Sequence, residues 1–365
     1  MRILIFTLEF PPMLGGAGTY AHELAEGFHE LGHSVVVLTS TRATITGQNE
    51  NYNYPVIRRP WSRYFWFLEW PLFLRNYLKR EFFDFVVFAN QGAIIIGSKL
   101  AKIDAAYVCT LHGSERYTFL AKKYDLKTSL LVKRRRIVNF LHGAKKVICV
   151  SQDLLNDVEK LVDEDVELVR IPLGIANRFQ KPLKLMVKDS VNLVCTARFV
   201  KGKGQDKILY AMKELLPLMS TTKLNLTFIG NGVNEGHIRQ ISSDLGLEKL
   251  VVFKGLQSRE KIAIIYEDMD IFIMLSSFKE TFGLVYLEAM FAGMPVIGTN
   301  LGAVSDLIKD DVNGYLIDLD KQSPTNIAEV IVKAIRNRER LGRGSLKLSS
   351  AYTNTAMAES HLNIL

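Results

Sequence analysis

A chain of 365 residues that is 48% apolar and 23% charged is too long for one ordinary core and fits two domains of about 150–200 residues each. The formal charge of +8 is spread over both halves, which argues against a nucleic-acid-binding arm and for a generally basic surface. No run reaches the roughly 18 uninterrupted apolar residues of a membrane span, and the apolar stretch in the opening MRILIFTLEFPP is too short for a secretory leader. The expectation is a cytoplasmic protein, with peripheral attachment to the cytoplasmic face of a membrane as a further possibility.

Taken in chain order, Arg2–Thr7 reads as a strand, Thr19–Leu31 as an amphipathic helix and Ser34–Thr39 as the next strand. Phe85–Ala89, Ala106–Leu111 and Lys146–Val150 continue the series, with helical segments between them. Near-continuous apolar strands alternating with helices imply a parallel sheet covered on both faces. Periodicity is lost over Pro172–Lys188, and the pattern then restarts. Val191–Thr196, Asn225–Ile229, Leu250–Lys254, Asp270–Leu275, Pro295–Gly298 and Gly314–Ile317 read as strands, with Gln205–Leu215 as the first helix of this half. The expected fold is α/β, with two Rossmann-like doubly wound domains, 1–180 and 181–345, facing a cleft. A helix within 346–365 is expected to pack back toward the N-terminal domain. Cys109, Cys149 and Cys195 lie in apolar, strand-like runs without a CxxC partner, so buried free thiols are expected.

Ligands of such sheets sit beyond the carboxyl ends of the strands. There the segment SSFKETFGLVYLEAMFAGMPVIGT sets Glu280 and Glu288 eight positions apart around a helix start at Phe282-Gly283-Leu284. Backbone amides at a helix start suit a phosphate, and glycine permits close approach. Glu288 is placed to accept from ribose hydroxyls and Glu280 to hold a sugar hydroxyl. Arg198 and Lys203 in TARFVKGKGQDKIL supply cations that stabilise the charge developing on a leaving diphosphate; Lys201 is the rival for Lys203. Gly230 and Gly232 fit either a close-approach turn or a plain strand-ending turn. Phe253-Lys254-Gly255-Leu256 are candidates for a base pocket.

In the first half FPPMLGGAG follows the first strand, with Gly15 and Gly18 assigned to an acceptor-side loop and Gly16 to the donor phosphate. This is not the GxGxxG fingerprint, and the second strand ends in Val37-Leu38-Thr39-Ser40 without an acidic residue, so a dinucleotide cofactor is not expected. His112 ends the strand Ala106–Leu111 before Gly113, a position that favours a role in the site over plain packing. No metal-ligand cluster is evident, and no catalytic metal or other cofactor is expected.

Together these pieces resemble the family-four retaining glycosyltransferases (glycosyl transferases group 1) of the two-Rossmann type called GT-B, from about Arg2 to Gly314. The resemblance rests on Gly15, Gly16 and Gly18, on His112-Gly113, Val150-Ser151, Arg198 with Lys203-Gly204, and Glu280 through Glu288. It implies sugar transfer from a UDP- or GDP-sugar with retention at the anomeric carbon and without an obligatory metal. It also implies that His112 contacts the sugar near its reactive carbon, with Glu280 on sugar hydroxyls, Glu288 on ribose and Arg198 with Lys203 on the diphosphate. Two departures stand out. Pro172-Leu173-Gly174-Ile175-Ala176 lacks the Asn and Asp common at the family's domain link, and Gly302-Ala303-Val304-Ser305-Asp306 carries Asp where the family usually has Glu.

Residues Arg58–Arg80 combine all three tryptophans with Phe, Tyr and basic residues, the composition of an interfacial element on an anionic membrane. Pro71 is expected to interrupt any single long helix there. Lys133–Arg136 is a second basic run. The expected partners are a nucleotide-sugar donor and a glycan or lipid-linked acceptor, with no nucleic acid. The alternatives are a nucleotide-sugar epimerase, for which Glu115 is the spare carboxylate, and a non-catalytic nucleotide-sugar-binding protein.

Overall fold

The computed structural model describes residues 1–13, 15–41, 51–62, 64–118, 120, 134–179, 190–219 and 222–365. It divides into two compact units, Met1–Ala176 with Tyr352–Leu365, and Asn177–Ala351. The first holds β1 (Arg2–Phe6), β2 (Ser34–Ser40), β3 (Val56–Arg59), β4 (Phe85–Phe88), β5 (Ala106–Leu111), β6 (Lys146–Cys149) and β7 (Leu168–Arg170). All pair in parallel, in the order β3-β2-β1-β4-β5-β6-β7. The second holds β8 (Ser190–Thr196), β9 (Lys223–Ile229), β10 (Val251–Phe253), β11 (Ile271–Met274), β12 (Val296–Thr299) and β13 (Gly314–Ile317) in the parallel order β10-β9-β8-β11-β12-β13. In each sheet the strand order reverses beside the unit's first strand, the doubly wound arrangement.

Central strands such as β1 and β4 are apolar along almost their whole length because both faces are covered. The edge strands β3 (VIRR) and β7 (LVR) are half-covered and partly basic, so they carry no apolar run to betray them in the sequence. The three cysteines are free and buried, and burial pushes the thiols of Cys149 and Cys195 up to about 12.

The expected break at Pro71 does not occur. One helix runs Trp66–Arg80 with Pro71 inside it. Proline cannot donate to the carbonyl four residues back, which here is that of Phe67. The Lys99 ammonium donates to that oxygen instead, at 3.0 Å, and lies 5.1 Å from the Phe67 ring. The helix also begins beyond Arg58 and Arg59, which fall in or at the end of β3, so the 58–80 stretch is not a single element. Of the second basic run, Lys133 lies outside the described residues, and Arg134–Arg136 open the helix Arg134–His142.

The last helix, Asn354–Leu362, is seated in the first unit through close backbone approaches. A Cβ on Gly174 would stand 2.0 Å from the Thr353 carbonyl oxygen, and one on Gly27 would stand 2.3 Å from that of Asn354. Ile175 donates to the Tyr352 carbonyl and accepts from the Asn354 amide. The unusual Pro172–Ala176 segment is thus the receiving strip for the chain's end. Buried Glu23 accepts from the Ala176 amide at 2.6 Å, and His361 Nε2 lies 2.8 Å from the Tyr20 hydroxyl.

Candidate functional site

In the first unit the helix Gly16–Glu30 starts behind Gly15 without a side-chain cap. Gly18 lies under the Glu9 carbonyl, where a Cβ would approach to 3.4 Å, whereas a Cβ on Gly16 would meet nothing within 4 Å. An uncapped start leaves its first amides to water or an anion.

His112 follows β5, and its Nε2 donates to the Ala89 carbonyl at 2.9 Å. Desolvation by the surrounding protein lowers its pKa to about 4 against the smaller opposing effect of that bond, so the ring is neutral with Nδ1 as its lone-pair nitrogen. The Tyr20 ring packs against it at 4.9 Å between centroids. Tyr20 is held in turn by Thr110 at 2.7 Å and by His361, whose own pKa burial lowers to about 4.

Glu115 is engaged rather than spare. Its Oε2 accepts from the backbone amides of His112 (3.0 Å) and Gly113 (2.7 Å). The side chain is buried, Oε1 has no hydrogen-bond partner among the described residues, and burial raises the carboxyl to about 7 despite those two bonds. Gly113, at φ 103°, makes the left-handed turn this clamp needs. Ser151 is a buried helix cap, accepting from the Leu154 amide at 3.2 Å.

In the second unit Lys203 and Glu280 meet directly, Nζ to Oε1 at 2.6 Å, both largely buried. Lys201 is exposed, which separates the two rival lysines. Gly204 places Lys203 by passing over β11's end, where a Cβ would stand 2.3 Å from the Leu275 carbonyl oxygen. Arg198 is exposed beyond β8, and its guanidinium makes no ion pair among the described residues. Its loop is braced from beneath. A Cβ on Gly230 would lie 2.1 Å from the Ala197 carbonyl oxygen, and one on Gly232 would lie 2.3 Å from that of Phe199. The close approach made by these glycines is therefore to the chain's own Arg198 loop.

Three residues past Glu280, Gly283 (φ 90°) precedes the helix Leu284–Phe291, which has no side-chain cap. Phe282 is buried, so any part it has in binding is through its backbone. Glu288, on that helix, is 5% exposed and accepts from Arg259 Nε at 2.9 Å. Arg259 lies 5.5 Å from the Phe179 ring. This pairing is not legible from the residues around Glu288; the one local signal is Ser258, whose side chain caps the helix Arg259–Tyr266. Lys254 and Leu256 are exposed, and the Gly255 carbonyl accepts from the Gly230 amide at 2.9 Å, which joins the candidate base-pocket turn to the Gly230–Gly232 turn. The second unit therefore gathers Lys203, Glu280, Gly283 and Leu284 at one strand-end region. Among the described residues no group of three or more His, Cys, Asp or Glu side chains is arranged to hold a metal.

Two doubly wound parallel units of this kind define the GT-B class of fold. Residues 178–346 match the model of the glycosyl transferases group 1 and residues 14–176 that of glycosyltransferase family 4, and the chain belongs to this glycosyltransferase family. It is similar to the alpha-monoglucosyldiacylglycerol synthase of Streptococcus pneumoniae, 25% identical over 87% of this chain and 75% of that protein. It is likewise 25% identical to the N-acetyl-alpha-D-glucosaminyl L-malate synthase of Bacillus anthracis, over 90% of this chain and 86% of that one. In fold it is similar to Anabaena HepE in complex with UDP, with a TM-score of 0.78 and 19% identity over 100% of this chain and 99% of HepE.

Proposed function

We propose that this glycosyltransferase moves a sugar from a nucleoside-diphosphate sugar to a glycan or lipid-linked acceptor, with retention at the anomeric carbon and without a metal or other cofactor. The observation that carries the reading is the buried Lys203–Glu280 pair set three residues before the uncapped helix start at Gly283. A diphosphate arriving there meets a fixed cation and free helix amides, and its charge grows as the glycosidic bond breaks, so the site favours the transition state over the ground state. Arg198, without an ion-pair partner among the described residues, is the second diphosphate cation. Gly16 adds an amide to the phosphate, and Gly15 and Gly18 shape the acceptor-side loop.

In this reading Glu280, released from Lys203 by the phosphate, turns to sugar hydroxyls. Glu288, held by Arg259, accepts from the ribose, and Lys254, Gly255 and Leu256 border the base. His112 meets the sugar near its reactive carbon as a neutral ring, so it adds no positive charge against a cation-like sugar. The leaving phosphate takes the acceptor proton on the same face. UDP is the first nucleotide to try, since HepE was solved with it. A lipid-linked acceptor is supported by the name of the Streptococcus pneumoniae relative and by the aromatic and basic 58–80 stretch, which also supports a peripheral place on an anionic membrane.

The test is calorimetric titration of UDP and GDP without metal, on wild type and on Lys203→Ala. Binding of one nucleotide, weakened about tenfold or more in the variant, is the expected result. Equal affinity in the two proteins would sink the diphosphate assignment.

A further inference from the structure

Against the helix Trp66–Arg80 lies an open pocket of about 390 Å³ whose lining includes Arg59, Asn76, Tyr77 and Arg80. It belongs wholly to the first unit and contains none of the residues assigned to the donor or to the sugar. Among the described residues its polar side chains make no hydrogen bond. Arg59 Nε is buried without a hydrogen-bond partner among the described residues. The Arg59 guanidinium is stacked 4.2 Å from the Phe73 ring centroid, and among the described residues neither it nor Arg80 forms an ion pair. One carboxylate, Glu69, also lines the space, leaving a net positive lining of two arginines against one acid. A buried guanidinium donor without an acceptor is costly unless something supplies one, and a planar guanidinium suits the oxygens of a phosphate.

The surroundings indicate where that phosphate comes from. Phe65, Leu68 and Leu72 are 59%, 55% and 53% exposed and recur at helical spacing along one face. Arg75 and Lys79 continue the exposed surface toward the helix's C-terminal end, and Leu72 also lines the cavity. An apolar stripe followed by cations, with a basic pocket at its side, is the layout of an element lying in a membrane interface.

We infer that the Arg59–Arg80 cavity seats the phosphate headgroup of an anionic phospholipid, while Phe65, Leu68 and Leu72 enter the acyl boundary beside it. This rests on the membrane part of the proposed function and gives it a specific lipid site. The apolar face enters the bilayer as area removed from water, and the cavity adds headgroup discrimination that diffuse surface charge does not.

The test is cosedimentation of the full chain with phosphatidylcholine vesicles, with and without phosphatidylglycerol, at low and high salt. Wild type is expected to bind only the phosphatidylglycerol vesicles, less so at high salt. Arg59→Gln/Arg80→Gln should weaken binding by more than the roughly thirtyfold that losing any two cations near an anionic surface costs. Leu68→Ser/Leu72→Ser should weaken it about tenfold. The control pair Arg75→Gln/Lys79→Gln removes the same charge outside the cavity and is expected to cause the smaller loss. Equal losses in the two arginine- and lysine-directed pairs would overturn the cavity while leaving membrane attachment intact. No vesicle binding by wild type would overturn both. Saturable binding of inorganic phosphate, lost in Arg59→Gln/Arg80→Gln and unaccompanied by vesicle binding, would assign the cavity to a soluble phosphate ligand instead. UDP titration and tryptophan fluorescence of each variant establish that it is folded and that the donor site is untouched.

Discussion

Replacing Glu115 by glutamine tests the clamp beneath His112 without dismantling it, because the amide oxygen still accepts from the His112 and Gly113 amides. In the wild type, burial raises the carboxyl from 4.5 to about 7, and its second oxygen has no partner among the described residues. A group bound more tightly to its proton in the folded state contributes stability that is fully present below the unfolded pKa. That stability is lost as the pH rises through the folded pKa. At about 1.4 kcal/mol per tenfold change in proton affinity, the wild type should lose about 3 kcal/mol relative to Glu115→Gln between pH 4.5 and 8. His112 and His361, both lowered to about 4, act in the opposite direction between pH 4 and 6.5, but they are common to both proteins and cancel in the difference. The assay is urea unfolding followed by tryptophan fluorescence. Trp61, Trp66 and Trp70 are the only tryptophans and all lie in the first unit, so the signal reports that unit even though a two-unit chain need not unfold in one step. A stability difference that stays constant across this pH range would show that Glu115 is ionised in the folded protein, and the clamp would need another account.

Gly230→Ala should destabilise the second unit by about 2–3 kcal/mol, because the new Cβ would press on the Ala197 carbonyl 2.1 Å away at a φ of 131°. The loss should appear in far-UV circular dichroism and in UDP affinity while leaving tryptophan fluorescence unchanged, and an equal effect on that fluorescence would contradict it. Lys99→Met should cost about 1–2 kcal/mol by stranding the Phe67 carbonyl under Pro71. In a Pro71→Ala background, where residue 71 regains an N–H for that carbonyl, the same change should cost about 1 kcal/mol less, and additive losses in this double-mutant cycle would refute the compensation.

The fold was legible because parallel strands buried on both faces must be written as apolar runs, and β1, β2, β5, β8 and β13 announced themselves in that way. β3 and β7 did not, since an edge strand half open to solvent tolerates Arg and leaves no periodic trace. Pro71 misled for a related reason. A proline's local effect is readable from sequence, but the repair comes from Lys99, 28 positions away, and only the fold brings the two together.

The same division runs through the candidate site. Residues whose backbone does the work were visible as glycines after strands, since Gly113, Gly204, Gly230 and Gly283 all hold positive φ. Partnerships between side chains were not visible. Nothing near Glu288 names Arg259, and nothing near Lys203 says that it, rather than Lys201, reaches Glu280 across 77 positions. These pairings also bear on how the site works. A lysine already matched to a carboxylate costs little to hold in the empty protein, whereas a lone buried cation is expensive. In the proposed function, exchanging Glu280 for a diphosphate would preserve the lysine's neutralisation and free the carboxylate for sugar hydroxyls. On this argument Lys203 and Glu280 act as one two-state element, and removing either should disturb the role assigned to the other.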